Sequence, residues 1–160
     1  MAIKLTGIKN WAIYKVSALL WERPARKATF AELITKLEQS GQAIMTQAST
    51  AADTPANREL LRHISGIERW GQRRLRVFLG KAFIQDEYET YQPAANLNLP
   101  QQREFFQKTR QATVELARQL ATAKLSETAT VRHNFFGPMS VRAWLTYLAG
   151  HANRESKGIK

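Results

Sequence analysis

Cysteine is absent from this chain of 160 residues, which excludes disulfides, thiolate metal ligands and cysteine nucleophiles. The absence fits a reducing cytoplasm, the location expected here. No apolar run approaches the roughly 20 residues that a membrane-spanning helix needs. No secretory signal is expected, because Lys4, Lys9 and Lys15 interrupt the stretch from Met1 to Trp21 where an apolar core would lie. The alternation of a half-buried strand is convincing nowhere, and no zinc-finger or RNA-binding signature is present. Histidine occurs only three times, at His63, His133 and His151.

Positive charge is what the chain has in excess. Its formal charge of +11 and isoelectric point near 10.4 suit anionic partners: nucleic acid, acidic lipid or anionic small molecules. The Lys and Arg residues are dispersed along the chain and form no block interleaved with aromatics. A solvated basic surface is the simpler account, and charge-driven binding of nucleic acid is the less favoured one. A chain of this length is expected to form one domain with a core that needs no covalent staples.

Apolar periodicity divides the chain into a basic prefix, residues 1–27, and a body, residues 28–160. In the prefix Ile8, Trp11, Ala12, Val16, Leu19 and Leu20 share one helical face, and Pro24 ends or interrupts that helix. Such a helix serves a membrane surface or a partner, or it packs on the body. Burial is the simplest explanation of Trp11 and Trp21, so packing is the expectation.

The body reads as four long amphipathic helices. The first opens on a capping box, Thr29 to Glu32, carries Phe30, Leu33, Ile34, Leu37, Gly41, Ile44 and Met45, and breaks in a Ser/Thr/Ala-rich loop from Ala48 to Pro55. The second starts at Thr54-Pro55, an N-cap with proline at the first helical position, and runs to a glycine stop at Gly80. Leu60, Ile64, Ile67, Gly71, Leu75 and Phe78 form its inner stripe; His63 lies on the flank, and Arg62, Arg69, Arg73, Arg74 and Arg76 mostly face outward. The third helix spans Gln101 to Lys124, with Phe105, Thr109, Ala112, Leu116 and Leu120 facing in. The connection from Lys81 to Pro100 has little period and reads as an ordered loop or short irregular pieces, long enough to carry function or brace a pocket. The pattern is all-α, a four-helix bundle.

The fourth helix, from Ser140 to Ile159, poses the chemical question. Its apolar stripe of Val141, Trp144, Leu145 and Leu148 continues into His151 and Glu155 on the same face. Burying such groups without partners costs roughly 2–7 kcal/mol each. Bundle cores house metal sites built from facing helices. His63 and His151 with the carboxylate of Glu155 would make a two-His-one-carboxylate set suited to a divalent transition metal. Spacing alone equally allows a structural His–Glu polar network, and Glu59, Glu68 and Asp86 are other carboxylates in range. His133 precedes the Gly137-Pro138 turn and is expected to make a loop-end hydrogen bond, with Phe135, Phe136 and Trp144 in the core.

Two segments, NRELLRHISGIERWGQRRL and HNFFGPMSVRAWLTYLAGHANRESKGI, resemble the DinB/YfiT-like superfamily. The first carries an LxHIxxxE pattern at Leu61, His63, Ile64 and Glu68. The second carries HxxFGxxSxxxWLxxxxxH at His133, Phe136, Gly137, Ser140, Trp144, Leu145 and His151. The resemblance covers Thr29 to Ile159 and implies an up-down-down-up bundle with a long crossover and, frequently, a homodimer. In many members it also implies a metal held by three histidines, two of which correspond to His63 and His151. Glu155 stands where the family has its third histidine. For activity the resemblance implies a metal-dependent enzyme (Ni, Zn, Mn or Fe) of thiol-dependent S-transferase or hydrolase type. Such an enzyme would take a small-molecule substrate and, for transfer, a low-molecular-weight thiol, with Glu59 or Glu68 as a base. The alternative is a non-catalytic binding or stress-response module that kept the bundle and lost the metal.

Overall fold

The structure is a computed structural model that describes residues 11–160; Lys4, Ile8 and Lys9 lie outside the described residues. Helix α1, Phe30–Thr50, begins with the anticipated capping box: Thr29 N donates to Glu32 Oε2 at 2.7 Å and Glu32 N to Thr29 Oγ1 at 3.2 Å. It runs past Ala48, which is buried, so the expected loop shrinks to residues 51–54. Helix α2, Pro55–Val77, is capped by Thr54, whose hydroxyl accepts from Asn57 N. A turn of three residues follows and ends on Gly80, whose φ of 87° suits glycine.

Helix α3, Leu99–Thr122, starts two residues earlier than expected. Asn98 and Gln101 form a reciprocal capping box, and Pro100 falls in the first turn, where its missing N–H costs nothing. Helix α4, Val141–Glu155, is capped by Ser140, whose hydroxyl accepts from Ala143 N. The connection between α2 and α3 holds only one short 3-10 turn, Tyr88–Tyr91. Helix α1 packs on α3 and α4, and α2 on the same two, which closes a four-helix bundle. No helix among the described residues is long and apolar enough to cross a membrane.

Helices α2 and α4 run antiparallel. Their contact is set by Gly71, where a Cβ would come within 2.5 Å of Leu148 Cδ2. The missing side chain lets α4 approach α2 closely, and the same alignment carries His63 toward His151.

Several expectations are corrected. A short antiparallel hairpin, β1 Val131–His133 with β2 Gly137–Met139, precedes α4; three-residue strands are too short to show alternation. Phe135, placed in the core by its hydrophobicity, sits at the hairpin tip and is 61% exposed. On α3 the buried stripe is Phe106, Thr109, Arg110, Thr113, Leu116 and Leu120, whereas Phe105 is half-buried and Ala112 exposed. The reason is Glu68, buried on α2. Arg110 donates to both its oxygens at 2.7 and 2.8 Å and Thr113 to one at 2.7 Å, so polar residues take the inner face. Arg74, expected outward, is fully buried. Its guanidinium pairs with Asp86 at 2.9 Å, donates to Ile84 O, and lies over the Trp70 ring.

The prefix is helical from residue 11, passes through a π-helical turn at Ala18–Glu22 and resumes α-helix at Arg23–Lys27. Pro24 does not end it, because Pro24 falls in the first turn of the resumed segment. Trp21 is buried against Phe136 and Tyr147, with ring centres 5.6 and 5.3 Å away. Glu22 accepts from both Ser140 N and Ser140 Oγ, which ties the prefix to the start of α4. Trp11, by contrast, is 59% exposed, so only one of the two tryptophans is explained by packing.

The Glu68–Arg110 pair makes a direct test of the core. Arg110→Met leaves a buried carboxylate with one hydroxyl partner and is expected to destabilise the fold by about 3–5 kcal/mol in urea denaturation. Glu68→Gln with Arg110→Met should recover most of that loss. Equal loss in both variants would show that packing, not the uncompensated charge, is what matters.

Candidate functional site

The imidazoles of His63 on α2 and His151 on α4 meet across the bundle, with ring centres 5.2 Å apart. His63 is half-buried and His151 buried. Neither makes a hydrogen bond to any described residue, which separates them from the buried Glu68, Gln72, Arg74 and Arg110. Glu155, one turn beyond His151, places Oε1 4.0 Å from His151 Nε2, too long for a hydrogen bond, while Arg154 Nε donates to that oxygen at 3.3 Å. A His–Glu hydrogen bond therefore does not account for the pair.

The other carboxylates lie elsewhere. Glu68 is five residues beyond His63, which turns it about 140° around the helix, and both its oxygens are held by Arg110. Glu59 is exposed and paired with Arg62 at 3.1 Å. Asp86 is occupied by Arg74, Trp70 and Tyr91. Of the residues singled out in the sequence, the fold brings together His63, His151 and Glu155 and leaves Glu59 and Glu68 committed to arginines.

Two tyrosines complete the surroundings. Tyr88, from the crossover, stands edge-on to His63 with ring centres 5.0 Å apart. Tyr147 precedes His151 by one turn, its ring 5.6 Å from the imidazole and enclosed by Trp21, His133, Phe136 and Trp144. Burial holds the Tyr147 phenol well above its usual pKa, so the hydroxyl keeps its proton. That hydroxyl has no hydrogen-bond partner among the described residues. Tyr147 was legible as i−4 from His151 on the same stripe, whereas Tyr88 lies in a loop without period and gave no signal.

His133 has the loop-end role. Its Nδ1 accepts the N–H groups of Phe135 and Phe136, both at 3.1 Å, so the ring proton sits on Nε2. Burial first, then the charges of Arg74 and His151, depress its pKa to about 3. His151 is depressed to about 4, again by burial first and the neighbouring His63 second. Its imidazole is thus neutral at pH 7, with its lone pair free.

A divalent metal is the group to weigh against this geometry. Two imidazole nitrogens about 2.1 Å from one ion leave their ring centres roughly 5 Å apart, close to the separation seen. Ligand atoms on a tetrahedral ion stand roughly 3.4 Å apart, against the 4.0 Å between His151 Nε2 and Glu155 Oε1. As the side chains stand, no group of three His, Asp or Glu among the described residues makes a closed ligand set. His63, His151 and Glu155 match such an ion in donor type and number, and their side chains would have to shift to close on it.

Comparison with known proteins gives one finding. A family model described as the DinB superfamily matches residues 14–154, a span that begins within the helical prefix and ends one residue before Glu155. No curated protein matches the chain, and neither does any solved structure.

Burial of two neutral histidines sets a pH dependence for metal-free protein. In the unfolded chain each imidazole titrates near 6.5; in the fold they titrate near 4 and 3. Between those values the unfolded state binds more protons, so stability is full above about pH 6.5 and falls as the pH drops toward 4. From pH 7 to 5 the loss is expected to be about 3–4 kcal/mol by urea denaturation, at ~1.4 kcal/mol per imidazole and pH unit. A stability flat across that range would contradict the buried neutral assignment.

Proposed function

Because the chain belongs to the DinB superfamily, we propose that it is a metal-binding enzyme whose ion is held by His63, His151 and Glu155. The observation that supports this reading is the unpartnered imidazole pair. Single buried atoms elsewhere, such as Trp21 Nε1 and Gln102 Oε1, also lack partners, but at His63 and His151 two imidazoles without partners among the described residues lie side by side, a pair open to a ligand. The ion, when bound, supplies Lewis-acid chemistry toward a water molecule or a thiol.

The chain's own residues set the terms of that chemistry. His151, neutral at pH 7, offers a lone pair without first losing a proton. Glu155 adds the negative charge that a third imidazole would not, which lowers the net charge of the site and favours a harder ion. The Tyr147 hydroxyl is a protonated donor beside His151, available to an acceptor atom of a bound substrate, and Tyr88 walls the His63 side. Family likeness favours transfer of a low-molecular-weight thiol to an electrophile over hydrolysis, and the basic chain suits an anionic thiol. The two carboxylates first considered as a base, Glu59 and Glu68, are held by arginines.

A second reading, a bundle that has lost its metal and serves as a binding module, draws on one observation: the Glu155 oxygen faces Arg154. Metal analysis separates the two. Wild type is expected to take up about one equivalent of nickel, zinc, manganese or iron, His63→Ala and His151→Ala to lose affinity roughly 100-fold, and Glu155→His to retain it. A wild type that takes up none of these ions, with Glu155→His gaining affinity, would establish the metal-free reading.

A further inference from the structure

The large hydrophobic side chains exposed among the described residues fall on three segments of the chain. Five lie on the prefix helix, Trp11, Tyr14, Val16, Leu19 and Leu20; three lie just after α2, Leu79, Phe83 and Ile84; the last is Phe135 at the hairpin tip. These three segments touch. Tyr14 lies on Gly137 so closely that a Cβ there would overlap its ring. Phe135 stacks edge-on with Phe136, ring centres 5.0 Å apart, and Phe136 does so with Trp21 of the prefix. On the other side Gln85 donates to Asn134, beside Phe135, at 3.1 Å, and Arg74 draws in Phe83 and Ile84.

Burial of Trp21, Ala25 and Ser17 fixes which face of the prefix meets the body. The opposite face is the apolar one: Leu19 is 60% exposed and Leu20 51%. A helix that already has its packing face satisfied gains nothing in water from a second apolar face. Among the described residues the cations in and beside the patch are unpaired. Lys15 rests its ammonium 3.9 Å from the Trp11 ring, between Trp11 and Leu19 on one helical stripe. Arg23, Lys81 and Arg132 are exposed, and none of the four is within ion-pair distance of a described carboxylate.

From this juxtaposition we infer that the patch is a docking surface for an anionic lipid bilayer, with the outer face of the prefix helix and the Phe135 tip entering the headgroup layer. Aromatic and leucine side chains supply the apolar contact, and Lys15, Arg23, Lys81 and Arg132 meet the lipid phosphates. A second copy of a chain with charge +11 would set the same unpaired cations against one another, with no carboxylates in the patch to receive them. Surface binding of this kind needs no membrane-spanning helix. Docking does not depend on whether a metal is bound.

Co-sedimentation of the full chain with vesicles tests it. Binding is expected to phosphatidylcholine vesicles containing phosphatidylglycerol, weakly or not at all to phosphatidylcholine alone, and to fall as salt is raised. Leu19→Ser with Leu20→Ser, and separately Lys15→Glu with Arg23→Glu, should each lower the affinity about tenfold or more. Phe135→Ser, remote from the prefix in sequence, should lower it several-fold and guards against a variant that fails through loss of the prefix helix. No binding by the wild type, or equal binding to both vesicles regardless of salt, overturns the proposal. So does light scattering that shows dimers which the Leu19→Ser, Leu20→Ser variant converts to monomers while vesicle binding stays absent, because the face then belongs to a second copy.

Discussion

Leu148 seated on Gly71 is the contact on which the site depends. A glycine in the C-terminal half of α2 leaves room for Leu148 of α4, and the two helices then pass close enough for opposed side chains to touch. Gly158 repeats the arrangement at the far end, where a Cβ would come within 2.9 Å of Leu60. His63 and His151 lie between these two close approaches. The close backbone approach at both points allows their 5.2 Å separation.

Several charged and amide side chains lie in the interior, and their main contacts come from specific places. Glu68 is answered by Arg110 and Thr113, Gln72 by Thr109 and Thr113, and Arg74 by Asp86 and the crossover carbonyls. These contacts tie α2 to α3 and to the crossover. The crossover in turn supplies Tyr88 to the wall beside His63. Aromatic rings around His133 hold the hairpin against α4, with Trp144 Nε1 donating to Val131 O at 3.0 Å. Polar contacts thus brace the helices around the imidazoles while the imidazoles themselves stay uncommitted.

The helix starts were legible because caps are local chemistry: Thr29 with Glu32, Thr54 before Pro55 and Ser140 before Val141 each satisfy orphan amides within three residues. The histidine pair was legible in part: His151 continues the inward stripe of α4, whereas His63 lies on the flank of α2. What periodicity hid was burial of charge. Arg110 and Arg74 look like surface residues until their partners on distant segments are known, and Ala112 lost its place to Thr113 for the same reason. Phe135 and Trp11 failed in the opposite sense. Both are hydrophobic enough to predict a core position and both are exposed, while Phe136 and Trp21 pack against each other.

The central claim is that His63, His151 and Glu155 share one ion. X-ray absorption at the metal edge of protein loaded with one equivalent of zinc or nickel addresses it most directly, because imidazole rings leave a multiple-scattering signature that carboxylate and water do not. Two imidazole nitrogens about 2.1 Å from the ion are expected, together with carboxylate oxygen, and one imidazole contribution should be lost in His151→Ala. A spectrum of oxygen ligands alone, unchanged by that substitution, would contradict a shared ion.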